Sequence, residues 1–250
     1  MIKVPESDLT YLQKFALCVK HRGLLETLEI TFTKVLFPLY FFYRKHFCDN
    51  EFEFDNKKYS YFFHPYNVTW ISERTVEISI TLDYLYQCVA KGGRFLEIGN
   101  VLNHYKYDDT VWPIVDKYER GEHVINKDIV DFNDGTKYDL ILSVSTMEHV
   151  GFDEEDKNPL KVGQAVRHVA QNLLSDNGRF IFTFPLGFNQ NLDKKILEGN
   201  MEAVSDIKYL KRVSKLKWEQ VDKSQLEGIK YNEPYAGGNG LAVVYVNPVR

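Results

Sequence analysis

Acidic and basic side chains lie within or after four apolar segments of the chain. Side chains of these types can bind hydroxyl groups and transfer protons. Glu97 lies inside "FLEIGN", and Asp116 ends "WPIVD". Asp128 follows "VINK", while Glu148 and His149 come shortly after "YDLILS". A carboxylate can accept both hydroxyl protons of a cis-diol, and a histidine with a pKa near neutrality can take a proton from a reacting group. The pattern predicts a binding crevice with proton-transfer groups at its edge.

The bend after the first of these segments contains a single glycine, Gly99, which is followed by Asn100. Turns that cradle the pyrophosphate of a dinucleotide continue with further glycines, because the backbone must approach the phosphates closely. A ligand without phosphates needs fewer glycines, since carboxylates and backbone groups can hold its ends. The sequence therefore argues against NAD as the ligand.

The elements that must position these residues are the strands of a mostly parallel sheet. The apolar segment "RFIFTFPLG" is typical of a strand buried on both faces, and residues 159–174 have the spacing of an amphipathic helix. Because the ligand crevice of such a sheet lies at the carboxyl ends of its strands, we expect the polar residues to come together there. The segments "SKLKWEQVD" and "GLAVVYV" are predicted to pair as an antiparallel edge. Strands are predicted at Arg94–Gly99, Trp112–Asp116, Val124–Asn126, Tyr138–Ser143 and Arg179–Gly187.

The first 91 residues are predicted to form a helical and β-hairpin extension. Apolar spacing predicts one helix from Ser7 or Asp8 to Gly23, a second directly after it, and another over Ser72–Ala90. Alternation in "EFEFDNKKYSYFF" predicts the hairpin. The aromatic segment "VLFPLYFFYRKHF", Val35–Phe47, is expected to pack in a core, with a membrane-surface or partner contact as the alternative.

Composition, charge and cysteine count argue against several classes of protein. A chain of 250 residues with 44% hydrophobic residues can bury one large core, and a net charge of -4 provides no basic footprint for nucleic acid. The three cysteines, Cys18, Cys48 and Cys88, form no metal-type pair, and we expect free thiols in a reducing compartment, the cytoplasm. No apolar segment is long enough to span a bilayer, and no set of ligands predicts a metal.

Residues from about Gly92 onward resemble a class I S-adenosylmethionine-dependent methyltransferase, because five motifs occur in the order of that family. The resemblance implies an α/β fold, a Rossmann-like doubly wound seven-stranded sheet with an antiparallel last strand. It also implies two domains: residues 1–91 as an extension that covers the active site, and residues 92–250 as the domain that binds S-adenosylmethionine. The five motifs are "FLEIGN", "IVDKYE", "VINKDIVDF", "YDLILSVSTMEHVG" and "LLSDNGRFIFTFPLG".

The resemblance also implies S-adenosylmethionine as the cofactor and assigns residues to it. Asp116 would accept the ribose hydroxyls, Asp128 and Ile129 would contact the adenine, and Glu97 would support the turn and the methionine end. Each carboxylate also has a structural interpretation: Asp116 and Asp128 as caps of the turns that follow them, and Glu97 as a buried hydrogen-bond acceptor. The implied cofactor-binding residues are Glu97, Gly99, Asn100, Asp116, Asp128, Ile129 and Ser145.

We expect an enzyme that methylates an oxygen atom of a small molecule or a sugar-bearing intermediate. His149 is the candidate general base, with a structural histidine as the alternative, and Glu148 is the second catalytic candidate. Aromatic and polar residues before the third helix and near the end of the chain would either contact the substrate or form a packed lid. These candidate substrate contacts are Trp70, Glu73, Arg74 and Tyr235.

Two other functions fit parts of the sequence. A dehydrogenase would need more glycines after Gly99. A degenerate methyltransferase fold that serves as an interaction subunit would suit the sparse turn and the aromatic "LFPLYFFY". The expected partner is the small-molecule or sugar-bearing substrate and not nucleic acid, and a homodimer is the oligomer considered.

Overall fold

The computed structural model describes residues 10–48, 50–106 and 109–249, and these residues form two compact units. One unit contains the described residues up to Asn50 together with Pro65–Val68, and the other contains Glu51–His64 and the residues from Thr69 onward. This division differs from the boundary predicted at residue 92, because the hairpin and the helix before Gly92 fall in the same unit as the sheet. The helix start predicted at Ser7 or Asp8 lies outside the described residues.

The first unit contains three consecutive helices. Thr10 caps the first one through a reciprocal pair of hydrogen bonds with Gln13, and Gly23, with φ +85°, ends it. The core packing predicted for Val35–Phe47 is wrong, because Phe42 and Phe47 in this segment are 58% and 69% exposed. The helices are α1 (Tyr11–Arg22), α2 (Leu24–Val35) and α3 (Phe37–Phe47).

The second unit contains the predicted hairpin, the predicted helix before Gly92 and a large sheet. The hairpin pairs β1 (Glu51–Phe54) with β2 (Lys57–Ser60) in antiparallel register. The helices of this unit are α4 (Arg74–Ala90), α5 (Lys161–His168), which continues as a π-helix to Leu173, and α6 (Gln190–Leu197). The strands of the large sheet are β3 (Phe95–Ile98), β4 (Ile114–Val115), β5 (Val124–Ile125), β6 (Tyr138–Val144), β7 (Leu174–Pro185), β8 (Val204–Ser214), β9 (Lys217–Val221) and β10 (Gly240–Val246).

The large sheet has the strand order β5-β4-β3-β6-β7-β10-β8-β9. Strands β3 to β7 are parallel to their neighbours, whereas β10 lies antiparallel between β7 and β8. This arrangement confirms the predicted α/β fold with an antiparallel last strand. It adds an eighth strand, since β9 forms the edge beyond β8. It also corrects the predicted edge pair, because "GLAVVYV" pairs with β8 and not with "SKLKWEQVD".

Helices cover both faces of the sheet, and alternate residues of each strand point to opposite faces. On one face, Leu96 and Phe180 belong to a buried cluster with Val166 of α5. On the other face, Phe95 and Leu142 belong to a second buried cluster with residues of α4. Strands buried on both faces explain why β6 and the end of β7 are continuous apolar runs.

The connections at the β5 edge of the sheet are short. In its described part, the connection from β3 to β4 contains one 3-10 turn, Leu102–His104, and the one from β4 to β5 contains no helix. Further 3-10 turns, Ile129–Asp131 and Met147–His149, follow β5 and β6. In the described residues, no α-helix connects β3 to β4, β4 to β5 or β5 to β6.

Candidate functional site

The turn after β3 is organised by a buried carboxylate. Glu97 is fully buried; its Oε1 accepts hydrogen bonds from the backbone N–H groups of Val101 and Leu102, at 2.7 and 2.6 Å. Its Oε2 accepts one from the indole N–H of Trp112 at 2.7 Å. Burial raises the pKa of Glu97 to about 7, against these hydrogen bonds, which lower it. The bonds all lie within the protein, so they match the structural interpretation of Glu97.

Gly99, the single glycine of this turn, lies against Thr146, the second residue after the end of β6. It has φ +83°, and a Cβ built on it would lie 2.2 Å from Oγ1 of Thr146. Glycine is required here both by the positive φ and by the lack of space for a side chain. The close approach that Gly99 permits is used by a side chain of the protein itself.

Asp116 and Asn100 line the turns that follow β4 and β3. The Asp116 Oδ1 accepts hydrogen bonds from the backbone N–H groups of Tyr118 and Glu119 at 2.8 and 2.6 Å, as a turn cap does. Asn100 donates from Nδ2 to the Glu119 carboxylate at 2.8 Å. Both of these hydrogen bonds to Asp116 are accepted by Oδ1 and not by Oδ2, and the buried Oδ1 of Asn100 has no hydrogen-bond partner among the described residues. Each residue therefore keeps one acceptor atom for a ligand.

Asp128, after β5, belongs to a cluster of four charged side chains. Its Oδ2 lies 3.0 Å from Nζ of Lys117 and 2.5 Å from Nζ of Lys161, and the same two lysines contact Glu154 at 2.5 Å. Burial raises the pKa of Asp128, but the hydrogen bonds from the lysines outweigh it and hold the pKa below its usual value. Ile129, the next residue, is buried. Both oxygens of Asp128 are occupied, because Oδ1 caps the following turn.

Ser145 is held in the interior by a second carboxylate. Its hydroxyl donates to the two carboxylate oxygens of Glu77 at 3.1 and 2.9 Å. The hydroxyl of Thr183 donates to the same carboxylate at 2.9 Å, and the guanidinium of Arg74 lies 3.1 Å from it. Burial raises the pKa of Glu77 above its usual value. This network ties the start of α4 to the ends of β6 and β7. The Ser145 hydroxyl is used within the protein, whereas the buried Nη1 of Arg74 is paired with the Glu77 charge but has no hydrogen-bond partner among the described residues.

Glu148 and His149 follow β6, and one oxygen of Glu148 is unpaired within the described part of the chain. Glu148 is buried and its Oε2 has no hydrogen-bond partner among the described residues; burial raises its pKa well above the usual value. The His149 ring is about half exposed, its Nδ1 is paired with the carboxylate of Asp153, and its Nε2 lies 3.8 Å from Oε1 of Glu148. The edge of Phe188 packs against the imidazole with 5.0 Å between ring centroids. A histidine oriented by a carboxylate is an arrangement that can accept a proton.

The predicted cover residues come together near the loop before β10. Glu73 accepts a hydrogen bond from the backbone N–H of Gly238 at 2.6 Å. The guanidinium of Arg212 donates to the carbonyl groups of residues 71 and 236 and stacks 4.9 Å from the ring centroid of Tyr235. Trp70 is 3% exposed and therefore presents no open ring face. This burial favours the lid interpretation of Trp70 over substrate contact.

Several residues of the site were not found from the sequence. Lys161 lies 33 positions from Asp128, so their pairing depends on the tertiary fold. Asp153 could have been predicted as the partner of His149, because it follows His149 at the four-residue spacing of one helical turn. Glu77 could have been suspected as a carboxylate that lies between apolar residues in the first half of the helix that begins at Arg74.

Other parts of the described chain offer less chemistry. The larger of two cavities, about 350 Å³, borders Leu186, Asp193 and Leu226, and the smaller one, about 240 Å³, borders Ile196 and Ile207. Neither borders the strand-end residues described above. Within the ranges that the structure describes, no cluster of histidine, cysteine or acidic side chains is suited to a metal ion, and no helix has the length and hydropathy to cross a bilayer.

Comparison with solved structures finds methyltransferases. N-methyltransferase NodS from Bradyrhizobium japonicum WM9, in complex with S-adenosyl-L-homocysteine, is 11% identical, with 69% of this chain and 89% of that chain covered and a TM-score of 0.41. DesVI from Streptomyces venezuelae is 14% identical, with 69% and 91% covered and a TM-score of 0.40. A TehB-like SAM-dependent methyltransferase from Corynebacterium glutamicum is 12% identical, with 69% and 98% covered and a TM-score of 0.38. The chain matches no protein-family model and no curated protein. The fold assignment itself rests on the strand order.

Proposed function

We propose that the protein is an S-adenosylmethionine-dependent methyltransferase that acts on a small molecule. The observation that carries this proposal is the antiparallel β10 between β7 and β8, in a sheet whose strands β3 to β6 each end beside polar side chains. The sequence resemblance implies the same fold. When bound, the cofactor would supply a methyl group on a sulfonium; attack on that carbon by the acceptor atom, in line with the carbon–sulfur bond, would release the sulfur as a neutral thioether.

Free acceptor atoms after β3 and β4 support cofactor binding. Oδ2 of Asp116 is suited to the ribose hydroxyls, and the buried Oδ1 of Asn100 is suited to a hydroxyl or ammonium donor. The backbone N–H of Ile129 is proposed to meet the adenine edge, whereas Asp128 positions its turn through the lysine pairs. Glu97 is a positioning residue, because its hydrogen bonds fix the turn that carries Asn100.

We further propose that the acceptor is a hydroxyl of a small molecule or a sugar-bearing intermediate. Since Nδ1 of His149 is paired with Asp153, Nε2 carries the lone pair in the neutral tautomer and can take the hydroxyl proton. Glu148 lies beside that nitrogen. Glu73, Arg74 and Tyr235 remain proposed substrate contacts. The three cysteines are unpaired, which supports a reducing compartment such as the cytoplasm.

An interaction protein without catalysis is the second candidate, and two specific contacts favour it. Thr146 fills the approach to Gly99, and Lys117 and Lys161 occupy the carboxylate expected to contact adenine. In this alternative, the strand-end residues stabilise the fold and bind no nucleoside.

Calorimetric titration with S-adenosylmethionine distinguishes the two candidates. The methyltransferase proposal expects saturable heat for the unmodified chain, and absence of heat at high micromolar ligand would favour the interaction protein. Asp116→Ala is expected to weaken binding by about 1–3 kcal/mol, the scale of a lost charge-assisted hydrogen bond. Asp131→Ala is the matched control, because Asp131 is an exposed carboxylate on the next turn. Equal affinity of both variants would remove Asp116 from the site.

A further inference from the structure

A cavity of about 350 Å³ lies where β7 ends, and we call it the α6 cavity. Leu186, the residue directly after β7, borders it. Helix α6 contributes Asp193 and Leu197, which are one helical turn apart and therefore lie on one face of the helix. The connection from β9 to β10 supplies Lys223, Leu226 and Ile229. Because α/β sheets bind ligands at the carboxyl ends of their strands, the α6 cavity has the position of a ligand site.

The α6 cavity has the size and the walls of a small-molecule site. Its volume lies in the lower part of the range of ligand pockets, about 300–1,000 Å³. At the density of a liquid, about 30 Å³ for each water-sized unit, it would hold about twelve non-hydrogen atoms. Leu186 and Leu226 belong to the buried core, and Leu197 and Ile229 pack against that core. An apolar chain placed against these four side chains would be removed from water, which favours binding.

Hydrogen bonds hold the wall that the connection from β9 to β10 forms. The backbone N–H of Asp222 donates to the side-chain oxygen of Gln225 at 3.1 Å, and the backbone N–H of Gln225 donates to the carbonyl of Asp222 at 3.0 Å. Nζ of Lys223 donates to the carbonyl of Leu197 at 2.8 Å, which joins this turn to the end of α6. A wall fixed in this way loses little freedom when a ligand binds, and the cost of binding is lower for that reason.

Asp193 brings an unbalanced negative charge to the wall of the cavity. Its Oδ2 accepts a hydrogen bond from the backbone N–H of Gly187 at 2.9 Å, whereas its Oδ1 is buried and has no hydrogen-bond partner among the described residues. No described lysine, arginine or histidine forms an ion pair with it. Burial raises the pKa of Asp193 to about 6, against the hydrogen bond from Gly187, which lowers it. A buried carboxylate without a counter-charge is costly, and a cationic ligand would reduce that cost.

We propose that the α6 cavity binds a small aliphatic amine, with the ammonium group on Oδ1 of Asp193 and the chain against the four aliphatic side chains. Glu227 borders the same cavity, and the ammonium of Lys223 is already bound to a carbonyl, so the wall favours a cation over an anion. An ammonium is a compact charge with three donors, which suits a single carboxylate oxygen. The site shares no residue with the strand-end turns proposed to bind S-adenosylmethionine, and it does not depend on methyl transfer.

Calorimetric titration of the full chain without cofactor tests the proposal with three probes that share a six-carbon chain: hexylamine, hexanol and hexanoate. At about pH 8 the Asp193 carboxylate is mainly ionised, and hexylamine, which titrates as lysine does, is protonated. We expect hexylamine to bind about tenfold more tightly than hexanol, because a charge-assisted hydrogen bond is roughly twice as strong as a neutral one. Hexanoate should bind most weakly. Absence of saturable heat from hexylamine at several millimolar, or hexanoate binding as tightly as hexylamine, would overturn the proposal.

Asp193→Asn tests the role of the charge at nearly constant side-chain size. The variant should bind hexylamine about tenfold more weakly and hexanol as tightly as the unmodified chain does, since only the charged head group loses its partner. Glu198→Gln is the matched control, because Glu198 is an exposed carboxylate directly after α6 that does not border the cavity. If Asp193→Asn left the hexylamine affinity unchanged, or if the control lowered it equally, the amine would bind elsewhere and the proposal would be wrong.

Backbone amide chemical shifts test the location of the bound amine. Because the N–H of Gly187 donates to Asp193, its signal should move when hexylamine binds, whereas the signal of Gly135, in the turn at the amino end of β6, should not. Leu197→Trp adds bulk in the cavity and should abolish the Gly187 shift, and the same spectrum shows whether the variant is folded. Equal shifts at both glycines, or an unchanged Gly187 shift in the folded Leu197→Trp variant, would contradict the proposed site.

Discussion

Two carboxylates at the carboxyl edge of the sheet, Asp128 after β5 and Glu148 after β6, have opposite surroundings. Two lysines contact the Asp128 carboxylate, and its pKa lies below the usual value. Glu148 is buried without a hydrogen-bond partner for Oε2, and its pKa lies well above the usual value. The β5 side therefore uses its charge to hold the protein together, whereas the β6 side keeps its carboxylate unpaired at a cost in stability.

This difference distinguishes the groups that fix the turns from the groups that are available to a ligand. Groups whose hydrogen bonds are filled by the protein fix the turns, and groups that remain unfilled are available to a ligand. Unfilled atoms after the strands include Oδ1 of Asn100, Oδ2 of Asp116 and Oε2 of Glu148, and the half-exposed His149 lies beside the Glu148 carboxylate. These atoms are the basis on which we propose ligand binding at the turns after β3, β4 and β6.

The largest effect is expected for His149→Ala. If Nε2 takes the acceptor proton, turnover should fall about 10²–10⁴-fold while the affinity for S-adenosylmethionine stays unchanged. Steady-state methyl transfer and calorimetry on the same variant measure both quantities. Glu155→Gln, an exposed change in the same loop, is the control. Turnover at the unmodified rate would assign His149 a structural role.

Asp128→Asn tests whether the contacts of this carboxylate with Lys117 and Lys161 stabilise the fold. The amide cannot attract Lys117 and Lys161 as a carboxylate does, so the free energy of unfolding at neutral pH should fall by about 1–2 kcal/mol. Because the folded pKa of Asp128 is depressed, this stabilisation is present above the unfolded pKa and is lost as pH falls through the folded pKa. Urea unfolding of both proteins across acidic to neutral pH measures the difference. A loss independent of pH would place the cause outside the ion pairs.

Glu148→Gln also replaces a carboxylate with an amide, but at the unpaired residue after β6. We expect the free energy of unfolding to change in the opposite direction. The folded pKa of Glu148 is raised, so the stability linked to its proton is complete below the unfolded pKa and is lost as pH rises toward the folded pKa. Glutamine does not titrate, and the variant should gain about 1 kcal/mol at neutral pH, with the gain shrinking in acid. The same urea series shows this. Destabilisation by both variants would erase the contrast between the two sides.

Much of the fold could be predicted because buried strands are continuous apolar segments. The segments that form β3, β6 and the end of β7 stand out for this reason. Strand β8 was missed, because Lys208, Lys211 and Arg212 make its sequence resemble a solvated face. Arg212 is nevertheless buried, and its guanidinium binds backbone carbonyl groups from distant loops, which no local pattern indicates.

The sequence predicted which strand-end residues are candidates for the site, but not the hydrogen bonds and ion pairs that they form. The rule that ligands bind at the carboxyl ends of parallel strands located Glu97, Asp116 and Asp128. Which of their oxygens remain free depends on Trp112 and Lys161, which other segments supply. The ligand roles assigned to these residues remain predictions.

A crystal structure grown with saturating S-adenosyl-L-homocysteine would show whether the turns after β3 and β4 hold a nucleoside. We expect a ribose hydroxyl on Oδ2 of Asp116 and the side-chain carbonyl of Asn100 in contact with the ligand. A structure in which Thr146 still fills the approach to Gly99 and no nucleoside contacts Asp116 would contradict this expectation.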